Sequence, residues 1–101
     1  MSEHTHDPTV LRIRDEISGL DRAILDAVNA RLELVSQLRR HKASKGIPFL
    51  DPEREQQLLD ELLAANAGPL SEQGLRQLVA EILDLTKREV SRDRGTTRPT
   101  S

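Results

Sequence analysis

Arg14, Arg31 and Lys42 are cations placed where a helix should be apolar. Alternating steps of four and three residues from Val10 pass through Arg14, Ile17, Asp21, Ile24, Val28, Arg31, Val35, Leu38 and Lys42. Six of these ten positions are aliphatic, the pattern of a buried helical seam. An ionised side chain on such a face is costly to desolvate unless an anion meets it. At about 100° per residue, Arg31 and Lys42 lie inside the aliphatic arc, whereas Arg14, Asp21 and Arg39 lie toward its edge. Two readings are open. The long side chains can snorkel outward, or pair with Asp21 and with glutamates of another helix. Alternatively they form an anion site inside a helical bundle, where arginine offers a planar fork to a carboxylate and lysine a mobile point charge.

A second group is Asp51-Pro52-Glu53-Arg54-Glu55. Acidic residues in a first helical turn are favoured by the helix dipole, and Asp51 is a natural N-cap. The same segment begins only nine residues after Lys42. A helix N-terminus beside cations also favours an anionic ligand. The histidines carry less: His4 and His6 sit in a polar stretch suited only to loose metal binding, and His41 is expected to face solvent. No Ser/His/Asp set, glycine-rich phosphate loop or ordered metal-ligand spacing occurs. No metal and no cofactor are therefore expected.

Three helices must position these residues. Asp7-Pro8 starts the first, with Asp as cap and Pro in the first turn, and no proline follows until Pro48. A helix of roughly 35 residues would be ~53 Å long, against a radius of gyration near ~13 Å for a compact domain of this size. Part of its apolar face then needs a second chain, and an intertwined homodimer is the simplest arrangement. Gly46 and Pro48 end this helix. Asp51-Pro52 opens the second, whose apolar face is Leu58, Leu59, Leu62 and Leu63, ending at Ala65. Ser71 caps a third, where Leu75, Leu78, Val79, Ile82, Leu83 and Leu85 line one side until about Val90. Residues 1–7 are expected to be flexible, 8–91 to form one helical domain, and the polar tail 92–101 to be disordered.

Composition agrees. The 101 residues suffice for one domain, 32% are charged and 36% hydrophobic, and Phe49 is the sole aromatic. Abundant Leu, Ala, Glu, Arg and Gln favour an all-α fold over a β core. A formal charge of −2 argues against nucleic acid or an acidic membrane as partner. Without cysteine there are neither disulfides nor thiolate metal sites. No apolar run approaches the ~20 residues of a membrane span. The opening MSEHTHDPTV lacks the basic and apolar regions of a signal peptide, so a cytoplasmic location is expected.

Ile13-Arg14-Asp15-Glu16-Ile17-Ser18-Gly19-Leu20-Asp21 resembles the opening of the all-helical (type II) chorismate mutases. Ala30-Arg31-Leu32-Glu33-Leu34-Val35 with Lys42 eleven residues after Arg31, and Gly46 through Glu55, are similar to that family as well. The segment around Gly68-Pro69 and Leu78 to Leu83 resembles mutase modules fused to an early enzyme of aromatic biosynthesis. The resemblance covers about residues 10 to 90, and the ordered set Arg, Arg, Lys, Asp-x-x-Arg-Glu is its most specific part. It implies a homodimer of three-helix chains and the Claisen rearrangement of chorismate to prephenate, in phenylalanine and tyrosine synthesis. That reaction is pericyclic and needs no nucleophile, general base or cofactor.

The resemblance also implies roles. Arg31 binds one substrate carboxylate and Arg14 of the other subunit the second, which holds the reactive conformer. Lys42 meets the ether oxygen, where charge develops as the C–O bond breaks. Glu55 accepts from the ring hydroxyl, assisted by the backbone at Asp51. Arg54 supports the pocket electrostatically, and Thr86 stands where the family often has Ser. The departure is on the third helix, where many members place Gln, sometimes Glu, as a second donor to the ether oxygen. Val90 stands there, with Glu89 just before it.

Two alternatives accompany this reading. One is the related isochorismate-pyruvate lyase, which uses a similar cationic pocket on the same fold. The other is a weakly active regulatory or binding module that associates with an aromatic-pathway synthase. If Glu89 supplies the missing donor it must be protonated, so kcat should fall as pH rises from about 5 to about 8. A flat profile over that range would exclude Glu89 from the role.

Overall fold

The computed structural model describes residues 6–95, with the side chains of residues 6–92. It is all-α, with three helices in order: α1 (Pro8–Ser44), α2 (Pro52–Ala65) and α3 (Glu72–Gly95). The three starts are where cap chemistry puts them. Asp7 Oδ1 accepts from the backbone N–H groups of Thr9 at 2.8 Å and Val10 at 3.1 Å. Asp51 Oδ1 accepts from Arg54 N at 3.1 Å, with Pro52 in the first turn. Ser71 Oγ accepts from Gly74 N at 3.0 Å. Each cap satisfies amide donors that the first helical turn cannot pair internally.

The chain divides into two units, Met1–Glu33 and Leu34–Ser101. In the first, the described residues are the early turns of α1. None is buried, and Leu11, Ile13, Ile17, Leu20, Ile24 and Leu25 are all exposed. An i,i+4 pair between Arg12 and Glu16 at 2.7 Å lies on this surface. Asp21 forms no salt bridge among the described residues, so its expected pairing with a local cation is not made. Its side chain is exposed and hydrated, which removes the need for a partner.

The second unit holds the end of α1, the loop to α2, and the α2–α3 pair. Its core comes from one face of α3: Leu75, Val79, Thr86 and Val90 are buried, at 6%, 3%, 6% and 2% exposure. Leu58, Leu59, Leu62 and Leu63 of α2 are half-buried, as are Ile82, Leu83 and Leu85. Leu78, expected on the apolar side, is instead 48% exposed. α3 continues five residues past Val90, so the helix runs through 92–95 where the sequence reading begins its disordered tail. Residues 1–5 with His4, and residues 96–101, lie outside the described residues. Among the described residues no helix is long and apolar enough to cross a membrane.

The end of α1 is closed by a Schellman motif. Ile47 N donates to Lys42 O at 2.8 Å and Gly46 N to Ala43 O at 3.3 Å, with Gly46 at φ 70°. A Cβ at Gly46 would meet nothing within 4 Å, so the constraint there is the left-handed backbone and not space. Gly46→Ala should therefore destabilise the fold by roughly 1 kcal/mol, read as a lower urea midpoint with unchanged slope.

Candidate functional site

The cap that ends α1 and the cap that starts α2 hold a short loop with Lys42 at one end and Asp51 at the other. Lys42 is half-buried in the last turn of α1. Its Nζ donates to the Phe49 carbonyl at 3.4 Å, a long hydrogen bond that an incoming acceptor would displace readily. Its own carbonyl is tied into the Schellman motif, so the backbone that carries the ammonium is fixed. The Lys42 ammonium thus reaches toward the segment that opens α2.

Arg39, three residues before Lys42, stacks its guanidinium over the Phe49 ring at 5.0 Å to the centroid. Its Nη1 is buried without a hydrogen-bond partner. These two residues, with Ser36, Arg40, Ala43, Ile47 and Val90, line a groove of about 540 Å³. Of these, sequence reasoning places Arg39 only at the edge of the apolar arc and does not single out Ser36 or Arg40. Phe49, as the sole aromatic seven residues after Lys42, is the signal that could have found the groove.

Across α2 and α3, Glu55 is half-buried and Oε2 accepts from Lys87 Nζ at 3.1 Å. Glu55 also lines a smaller cleft of about 240 Å³ with Pro52, Leu59, Arg76, Val79 and Leu83 among its walls. Glu55 lies early in α2 and Lys87 late in α3, so the helices run antiparallel. Sequence reasoning missed Lys87, because its proximity to Glu55 depends on the register of two helices and on no local pattern.

The other site residues are occupied locally. Arg54 pairs with Glu61 at 3.0 Å, both more than half exposed, an interaction worth little in water. Thr86 is buried and donates Oγ1 to the Ile82 carbonyl at 2.6 Å. Glu89 is half-buried and pairs with Arg92 at 3.3 Å. Val90 is buried and forms part of the Arg39–Phe49 groove. In the first unit, Arg14 is exposed and Arg31 half-buried. Lys42 with the loop and Glu55 with Lys87 are therefore the two preformed elements of the second unit.

Val90 is a packing residue at the position where a donor would be useful. Val90→Gln would bury an amide in an apolar contact, at a cost of about 1–3 kcal/mol in unfolding free energy unless that amide finds a partner. Chemical denaturation of the variant measures this.

The chain matches the family profile described as Chorismate mutase type II over residues 13–90. Two crystal forms of chorismate mutase from Thermus thermophilus share its fold. One aligns with a TM-score of 0.75 at 32% identity, covering 77% of this chain and 98% of that one. The other gives 0.78 at 31%, covering 83% and 96%. Among curated proteins, a T-protein of Haemophilus influenzae is 40% identical over 74 residues, 68% of this chain but 20% of that protein. A T-protein of Enterobacter agglomerans is 43% identical over 47 residues, 46% of this chain and 13% of its own length. A 4-amino-4-deoxychorismate mutase of Streptomyces venezuelae is 34% identical over 50 residues, about half of each chain. The chain thus spans about half, or much less, of the curated relatives it matches. The family match covers the helices and the loop that carry Arg14, Arg31, Lys42, Asp51, Arg54 and Glu55, and the chain belongs to the chorismate mutase type II family.

Proposed function

We propose that this chain rearranges chorismate to prephenate, as a homodimer whose sites draw Arg14 from the neighbouring subunit. The observation that carries the reading is the cation at the end of α1. Lys42 is held by the closing motif of its helix, and only a long bond to the Phe49 carbonyl occupies its ammonium. In the rearrangement the ether C–O bond breaks as a C–C bond forms, the product is an isomer, and no proton or electron enters. Catalysis then comes from holding the folded conformer and stabilising the partial negative charge on the ether oxygen. A fixed ammonium supplies the second. Arg31 and the partner's Arg14 clamp the two carboxylates, Glu55 accepts from the ring substituent, and Asp51, Arg54 and Thr86 complete the wall.

The exposed aliphatic stripe of α1 supports the dimer. Ile17, Leu20, Ile24 and Leu25 are 50%, 65%, 61% and 58% exposed, and a helix with such a face gains its stability by covering it. The curated relatives leave two ring substituents open, the hydroxyl of chorismate and the amino group acted on by the Streptomyces enzyme. The hydroxyl is the reading adopted, since Glu55 is already paired with a cation. A weakly active module that depends on an aromatic-pathway synthase is a second reading. Val90, buried and apolar, favours it, since no donor is available at that position.

The test is loss of chorismate absorbance with recovery of prephenate from the purified chain, alongside isochorismate and pyruvate release. Arg14→Ala and Arg31→Ala should each be nearly inactive. Mixed and re-equilibrated, they should regain about a quarter of wild-type activity, because half the dimers are hybrid and each hybrid has one intact site. No recovery on mixing would mean that sites are not shared between subunits. Full activity without the synthase would exclude the dependent-module reading.

A further inference from the structure

The Glu55–Lys87 pair places a second cation beside the carboxylate proposed to face the substrate ring. The Lys87 side chain is 44% exposed and that of Glu55 31%, with Nζ and Oε2 3.1 Å apart. We infer that Lys87 is a specificity-determining positioning residue: by occupying Glu55, it tunes the site to a neutral hydroxyl on the substrate ring and against an amino group at the same carbon. This rests on the reading that Glu55 meets that ring substituent.

The argument is one of charge count at a single carboxylate. A carboxylate has acceptor capacity on both oxygens, so Oε2 can serve Lys87 while Oε1 accepts from a ring hydroxyl. The hydroxyl brings a proton donor and no net charge, and Lys87 does not oppose it. An alkyl amine is an ammonium at neutral pH. Docked on Oε1, it would stand about 5–6 Å from Lys87 Nζ, given two ordinary hydrogen bonds and the width of the carboxylate. Two like charges at that distance, partly screened by water, differ from the neutral case by about tenfold in affinity. Glu55 alone would favour the ammonium; Glu55 held by Lys87 is nearly neutral as a pair and loses that preference. A purely structural tie between α2 and α3 would affect both ring substituents equally.

The experiment compares chorismate with 4-amino-4-deoxychorismate on the full chain. It uses kcat/KM for each compound, and the inhibition constant of the amino compound against chorismate turnover. Wild type should favour chorismate. Lys87→Met and Lys87→Gln should shift the ratio toward the amino compound by about tenfold, mainly through its KM or inhibition constant. Lys87→Arg should restore the wild-type ratio. On a Glu55→Gln background, where the carboxylate charge is gone, removing Lys87 should tighten the amino compound still further instead of leaving the ratio fixed. Equal losses on both compounds, or a ratio unmoved by Lys87→Met and Lys87→Gln, would overturn the inference while chorismate turnover leaves the functional reading intact. Wild-type protein that rearranges neither compound would overturn that reading, and this inference with it. Circular dichroism on both neutral variants separates misfolding from lost charge, and Lys87→Arg carries the test if both misfold: a ratio unlike wild type then counts against it.

Discussion

The long helix buries none of its side chains, yet its stripe is largely aliphatic. Helical propensity alone leaves isolated helices marginal in water, so burial of that stripe has to come from packing. The same stripe carries Arg14, Arg31 and Lys42. Covering the aliphatics and satisfying the cations are therefore one problem. A partner that covered the face with apolar groups alone would strand three charges, at a cost that burial of a few aliphatics does not offset. A cover that leaves a polar cavity around the cations solves both, and a dicarboxylate fits such a cavity.

Closure of α1 shows how local backbone chemistry serves that cavity. Gly46 in the left-handed region lets two amides return to the carbonyls of Lys42 and Ala43, and the loop then needs only a few residues to reach the Asp51 cap. Phe49 supplies both a carbonyl to Lys42 and a ring to Arg39. One aromatic residue thus fixes two cations that would otherwise repel each other along the same helix end.

Helix starts are legible because caps are local: Asp7-Pro8, Asp51-Pro52 and Ser71 each place a short acceptor before the first free amides, and each makes the expected bond. The end of α3 is not. Residues beyond Val90 lack apolar periodicity, yet Arg, Asp and Glu tolerate a helix, and the Glu89–Arg92 pair supports its last described turns. Asp21 departs from expectation for a related reason: a place on the stripe implies a partner, while its exposure supplies water instead. Lys87 is invisible in the sequence because nothing within a few residues of it encodes Glu55. Its meaning lies in the antiparallel register of α2 and α3, which tertiary packing sets.

A pericyclic reaction suits a site built this way. It demands no group with a finely adjusted proton affinity, only fixed charges at fixed places, so selection can act on geometry and on charge count. That has a consequence for Val90. A buried valine on α3 stabilises the only fully buried face among the described residues, and a hydrogen-bond donor at the same place would weaken that packing. Loss of one donor leaves the fixed cations in place, because their positions derive from helix caps and the Phe49 loop and not from α3. The electrostatic part of the site and the packed part are separable, and the sequence has kept the charges while giving the α3 position over to stability.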